Sequence, residues 1–161
     1  MASELGVQTI QHTNGTDAMT IDSSGNIALP NIGSNALYRS GTWTVTDVSG
    51  NGLSLTQSET ARYIRIGDLV YVNFYVTYPG SGGNSNNAKL GGLPFPTATG
   101  YGYHYLSGRV QDYGAADIRV QLQHGESWGY PMQNNSFLTN AQLAVGRYVI
   151  MSGCYIAQSG T

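Results

Sequence analysis

The chain has 161 residues, 22 of them glycine, with 10% charged and a net charge of −2. Lys89 is the single lysine and there is no basic stripe, so the clustered cations that track a phosphate backbone are missing and nucleic acid is not an expected partner. No apolar run approaches the ~20 residues of a membrane helix, and no charged start followed by an apolar stretch marks a secretion signal.

Residues 1–35 differ from the rest. Aromatics are absent before Tyr38, and two turn signals, Asn14-Gly15 and Gly25-Asn26, lie about one hairpin length apart. Between and after them come the runs 18–22 and 27–30, in which Met19 and Ile21 share one face, as do Ile27 and Leu29. A meander this small buries too little apolar area to offset an ordering entropy of roughly 1–2 kcal/mol per residue. It is either disordered or completed by other chains, and the apolar alternation favours completion by identical copies around an axis. The polar stretch 31–35 is the expected junction.

The second region, 36–161, reads as short strands punctuated by Gly, Asn, Ser and Pro. Residues 41–47 alternate as one strand, 49–52 are a turn and 53–57 a short strand. Residues 62–78 read as a hairpin around Gly67-Asp68. Val70, Val72, Phe74 and Val76 point one way, while Tyr71, Asn73, Tyr75 and Thr77 point the other. A two-residue loop pairs Ile66 with Leu69 and Ile64 with Tyr71. A three-residue loop pairs Ile66 with Val70 and Ile64 with Val72, gathering the aliphatics on one face, although it asks Leu69 for a left-handed backbone. The better core makes the three-residue loop the expected register.

Residues 79–87, rich in Gly, Ser and Asn, read as a mobile, solvated spacer. Residues 88–93 re-enter the sheet. Pro94 and Pro96 exclude a central strand, but Leu93 and Phe95 can plug its end. Strands are expected at 101–111 and 118–123, an irregular stretch at 125–136, a short helical turn at 140–145 and a long closing strand at 147–157. Both faces of that last strand are apolar enough for a central or chain–chain position, and Cys154, the only cysteine, reads as a small buried hydrophobe. About eight or nine strands point to an all-β chain with a β-sandwich, jelly-roll-like head domain.

Three pieces together carry a resemblance. The first is the run 14–26. The second is Gly41-Thr42-Trp43-Thr44 followed by Tyr63-x-x-Ile66-Gly67-x-Leu69-Val70-Tyr71-Val72. The third is Gly92-Leu93-Pro94-Phe95-Pro96. In combination they resemble the C-terminal part of tailed-bacteriophage tail fibres and related virion fibre proteins. The resemblance implies an intertwined trimeric β-structured shaft over 1–35, a head over 36–161 and a homotrimer. It also implies an upstream virion fibre or baseplate partner, a place on the virion, and recognition of the host surface through the head. Some fibre tips of this kind hold a metal between His-x-His pairs. His12, His104 and His124 do not have that spacing, so no metal and no cofactor is expected.

Glycan hydrolysis needs two carboxylates a few ångströms apart. The head offers only Asp47, Glu59, Asp68, Asp112, Asp117 and Glu126, of which Asp68, Asp112 and Asp117 read as turn residues, so no catalytic residue is expected. Binding fits better, because aromatic rings stack on sugars while amides and cations supply hydrogen bonds. The candidates are Tyr101, Tyr103, His104 and Tyr105, then Tyr113, then Trp128, Tyr130, Asn134 and Asn135, against a bacterial surface glycan or outer-surface protein. Alternating tyrosines at 101–105 also fit packing between chains. Arg62, Arg65 and Arg119 are rare charges on apolar strands, and one is expected in an ion pair between chains, with Glu59 a nearby partner. The competing readings are a purely structural virion fibre or adaptor protein, and a small polysaccharide depolymerase.

Overall fold

A small meander precedes one long curled sheet. The computed structural model describes residues 8–11, 13, 15, 17–25, 27–28, 38–112 and 118–158. The expected junction at 31–35, His12 and Tyr113 lie outside the described residues. Strands β1 (Thr9–Gln11), β2 (Asp17–Ile21) and β3 (Ile27–Ala28) pair antiparallel in that order. The turn after β2 is tied by Asp22, whose Oδ1 accepts the Ser24 N–H at 2.8 Å and whose carbonyl accepts the Gly25 N–H. Ile10, opposite Met19, is left 47% exposed.

The second sheet takes β4 (Tyr38–Trp43), β5 (Thr46–Asp47), β6 (Thr56–Ile66), β7 (Leu69–Thr77), β8 (Leu90–Gly91), β9 (His104–Val110), β10 (Ile118–Leu122), β11 (Trp128–Gln133), β12 (Ser136–Phe137) and β13 (Tyr148–Ile156). Its order is β4-β6-β7-β13-β9-β10-β11-β8-β5, with β12 on β11 and every pairing antiparallel. The two edge strands β4 and β5 are consecutive in sequence with only Thr44 and Val45 between them. Three peptide links reach at most about 10 Å, so the sheet must curl until its edges nearly meet. The single expected strand at 41–47 is thus two, broken where the chain crosses from one edge to the other.

The concave face holds one core. Val70, Val72, Phe74 and Val76 of β7 point into it, joined by Leu106, Val110, Val120, Leu122, Val149, Met151 and Tyr155. Gly108 of β9 permits the tight approach to β13, because a Cβ there would lie 1.9 Å from the Ile150 carbonyl oxygen. The expected plug is present. Leu93 and Phe95 are 8% and 5% exposed, the Phe95 carbonyl accepts the buried Tyr155 hydroxyl at 2.9 Å, and Tyr63 meets the Phe95 ring edge-on at 5.3 Å.

Several further expectations are corrected. The β6–β7 register is the two-residue one, Ile66 opposite Leu69 and Ile64 opposite Tyr71. Gly67 alone takes a positive φ, +57°, and supplies the first central residue of a mirror-image turn that Leu69 need not strain to make. The inward positions of β6 are Ala61, Tyr63 and Arg65. Arg65 is 6% exposed because its guanidinium lies 4.5 Å from the Phe95 ring centre, donates to the Gly67 carbonyl and pairs with Asp68. Its ionic partner is therefore within the chain. Residues 53–55 are not strand; β6 begins at Thr56 and runs eleven residues, with Leu53 and Leu55 packed on the core.

The stretch 79–87 is pinned rather than a spacer. The fully buried Asn140 donates to Ser49 Oγ and Asn84 Oδ1, Asn84 donates to Asn51 Oδ1, and Asn51 donates to the Gly82 carbonyl. Asn140 opens the helix α1 (Asn140–Leu143), which starts with a Thr139/Gln142 capping box. Finally, β13 is central but buried on one face only. Val149, Met151 and Tyr155 turn inward, which leaves Ile150, Ser152 and Cys154 outward, so the cysteine is exposed.

Candidate functional site

The convex face divides into two halves of different chemistry. Over β8, β11, β10 and β9, period-two alternation sends Trp128 and Tyr130 outward while Gly129 and Pro131 face the core. These rings stand on a strand, which corrects the irregular stretch expected at 125–136. Gly129 is what allows it, since a Cβ there would sit 2.6 Å from the Gln121 carbonyl oxygen. Asn134 and Asn135, at φ 47° and 65°, form the two-residue turn into β12. Their first role is conformational, as asparagine tolerates the left-handed region.

The turn carries Phe137 back beside Tyr130, where the rings stack at 4.4 Å with 26° between planes. Trp128 meets Tyr130 at 5.1 Å and a right angle. The Lys89 ammonium stands over both, 4.7 Å from the Trp128 ring centre and 5.7 Å from that of Tyr130. The Trp128 indole N–H donates to Glu126 Oε2 at 3.0 Å. Across β10, Arg119 lies 4.8 Å from the Tyr105 ring centre and donates to Asn135 Oδ1, and Gln121 donates to the Tyr105 hydroxyl. Three rings in contact and two cations thus share one outward face. A group of this kind can stack on a flat apolar ligand surface while hydrogen-bonding its rim.

Of the expected residues, Trp128, Tyr130 and Asn135 come together here. Lys89 and Phe137 were missed. Phe137 is legible only once Asn134-Asn135 is read as a hairpin turn, and Lys89 is joined by the pairing of β8 with β11, remote in sequence. Tyr103 and His104 serve differently. Tyr103 is half exposed and packs edge-on against His124 at 4.4 Å. His104 has a buried Nε2 with no hydrogen-bond partner, and burial, then the neighbouring His124, lowers its pKa from the usual histidine value.

The other half, over β4, β6, β7 and β13, is apolar. Register aligns Tyr38, Ile66, Leu69 and Ile156 in one row and Ser40, Ile64, Tyr71 and Cys154 in the next. Tyr38 and Ile66 are each 54% exposed, and Leu69, Ile64 and Tyr71 all exceed 40%. An open groove of about 390 Å³ runs along it beside Arg62 and Asn73.

Three carboxylates of the head are tied to local tasks. Asp47 accepts the Ser49 and Leu53 N–H groups, Asp68 pairs with Arg65 and Asp112 with Arg147. Among the described residues, no group of three His, Cys, Asp or Glu side chains is arranged to hold a metal. No protein-family model and no curated protein matches the chain.

Proposed function

We propose that the chain is the C-terminal part of a trimeric virion fibre whose jelly-roll-like head, residues 36–161, binds a glycan or protein on a bacterial surface, with residues 1–35 as the shaft segment. The observation that carries the binding role is the outward row of Trp128, Tyr130 and Phe137 with Lys89 over two of its rings. Exposed aromatic bodies with cations and amides at their rim are the chemistry that sugars and protein loops meet. Three such sites on one rigid frame bind a crowded surface with an avidity that a single site lacks.

The trimer is supported by the apolar half of the convex face, whose five most exposed members leave roughly 500 Å² of side chain in water, near the upper range for a lone protein. Its occupant is a second copy of this chain. Two copies that bury it against each other supply about 1,000 Å², half of the roughly 2,000 Å² of a permanent interface, and the other contacts around the axis supply the rest. The β1–β3 meander, with Ile10 half exposed, has the same need of neighbours.

A purely structural fibre draws on the fact that Arg119, Asn135 and the rings already satisfy one another within the chain. The two readings part on a glycan array probed with the intact protein and with Trp128→Ala. Binding that falls at least tenfold in the variant, with unchanged oligomeric state, supports the receptor-binding head. Absence of any glycan binding together with failure to protect host cells from infection leaves the structural fibre.

A further inference from the structure

Among the described residues, the lysine on the aromatic row has no counter-ion. Among the described residues the Lys89 ammonium touches only the Trp128 and Tyr130 rings, and neither a carboxylate nor a hydrogen-bond acceptor meets its three N–H groups. Glu126 is the carboxylate nearest in the contact network, but it lies in the indole plane, accepting the Trp128 N–H, and makes no ion pair with Lys89. Stacking against two perpendicular rings holds the ammonium over the surface instead of letting it sweep through solvent on its four-carbon stem. Arg119 adds a second cation to the same face. It stands opposite Met132, two residue pairs along the strand from Gln121 and Tyr130 and so on the same face. In a chain of net charge −2, Lys89 and Arg119 stand beside the aromatic row, with Glu126 at its edge.

Resting on the receptor-binding reading, we infer that the ligand is an acidic saccharide: its carboxylate or phosphate accepts hydrogen bonds from the Lys89 ammonium while its sugar body lies on Phe137. Phe137 is the outermost ring, 39% exposed. The 4.4 Å from Phe137 to Tyr130 and the 5.7 Å from Tyr130 to the ammonium put Lys89 within about 10 Å of the Phe137 ring, the reach of a disaccharide. A neutral sugar would leave the ammonium without an anion. An acidic one completes a charge-assisted contact, the stronger class of hydrogen bond.

The test uses the full chain and an array in which every uronate oligosaccharide stands beside its methyl ester, and every phosphorylated oligosaccharide beside its dephosphorylated twin. The two sets separate carboxylate from phosphate. The expected result is that one or both acidic sets bind at least about tenfold more tightly than their twins. Lys89→Met, which keeps the stem against the rings, should abolish that preference, Lys89→Arg should retain it, and raising salt from about 50 mM to 0.5 M should shrink it. Circular dichroism and light scattering confirm that both variants keep fold and assembly. Equal binding of acidic and neutral twins, or a preference unchanged in Lys89→Met, overturns the inference and leaves the receptor-binding head standing. Binding of a host protein but of no glycan has the same consequence. Binding to neither glycan nor host surface overturns both.

Discussion

Replacing Phe95 by alanine probes the plug that closes the curled sheet. The ring is 5% exposed, with Arg65 and Arg39 guanidinium carbons 4.5 Å and 4.9 Å from its centre and Tyr63 edge-on at 5.3 Å. Truncation of a buried phenylalanine costs about 3–5 kcal/mol through lost transfer energy and the cavity left behind. Losing the ring face beneath two cations adds about 1 kcal/mol more, most of it at the buried Arg65. Phe95→Leu keeps most of the apolar volume and loses the ring, so it should cost only about 1–2 kcal/mol. Urea unfolding followed by tryptophan fluorescence, at a fixed protomer concentration, reads both. A cost below about 1 kcal/mol for the alanine variant, or no gap between alanine and leucine, would refute the plug.

Three further outcomes follow from the contacts described. Asn140→Ala removes the donor to Ser49 and Asn84 from a fully buried position and should cost about 2 kcal/mol, with faster amide exchange confined to 79–87 and the 49–52 turn. His104 holds its proton less tightly folded than unfolded, so the unfolded chain takes up the proton first as pH falls. Stability should be full above the usual histidine value of 6.5 and decline below it, and His104→Gln should flatten that acid-side slope relative to the parent. Ile66→Glu paired with Leu69→Lys, both on the convex apolar row, should lower the oligomeric state while far-UV circular dichroism stays unchanged.

Strand identity was largely legible because it rests on local alternation. Residues 70–76 declare an inward and an outward face without reference to the rest of the chain. The Leu93–Phe95 plug was legible too, since prolines on either side of a phenylalanine deny it a central strand. The β6–β7 register was not. Arg65 can be buried only because Phe95, thirty residues downstream, offers it a ring face. Without that knowledge Ile64 and Ile66 look like the better core. The 79–87 stretch reads as a spacer until Asn140 is brought to it from the far side of the sheet. The same limit applies to the binding face. Trp128, Tyr130 and Asn135 stand close in sequence, whereas Lys89 joins them only through β8, and the exposure of Cys154 follows from which face of β13 the core claims.

The assembly is what the account depends on most, because both the β1–β3 meander and the apolar half of the convex face are left short of burial in one chain. Light scattering coupled to size exclusion, run over a hundredfold range of dilution, measures it directly. The account predicts a molar mass three times that of the 17.2 kDa protomer, held at every dilution. A well-folded species of 17.2 kDa that persists to high concentration would contradict it.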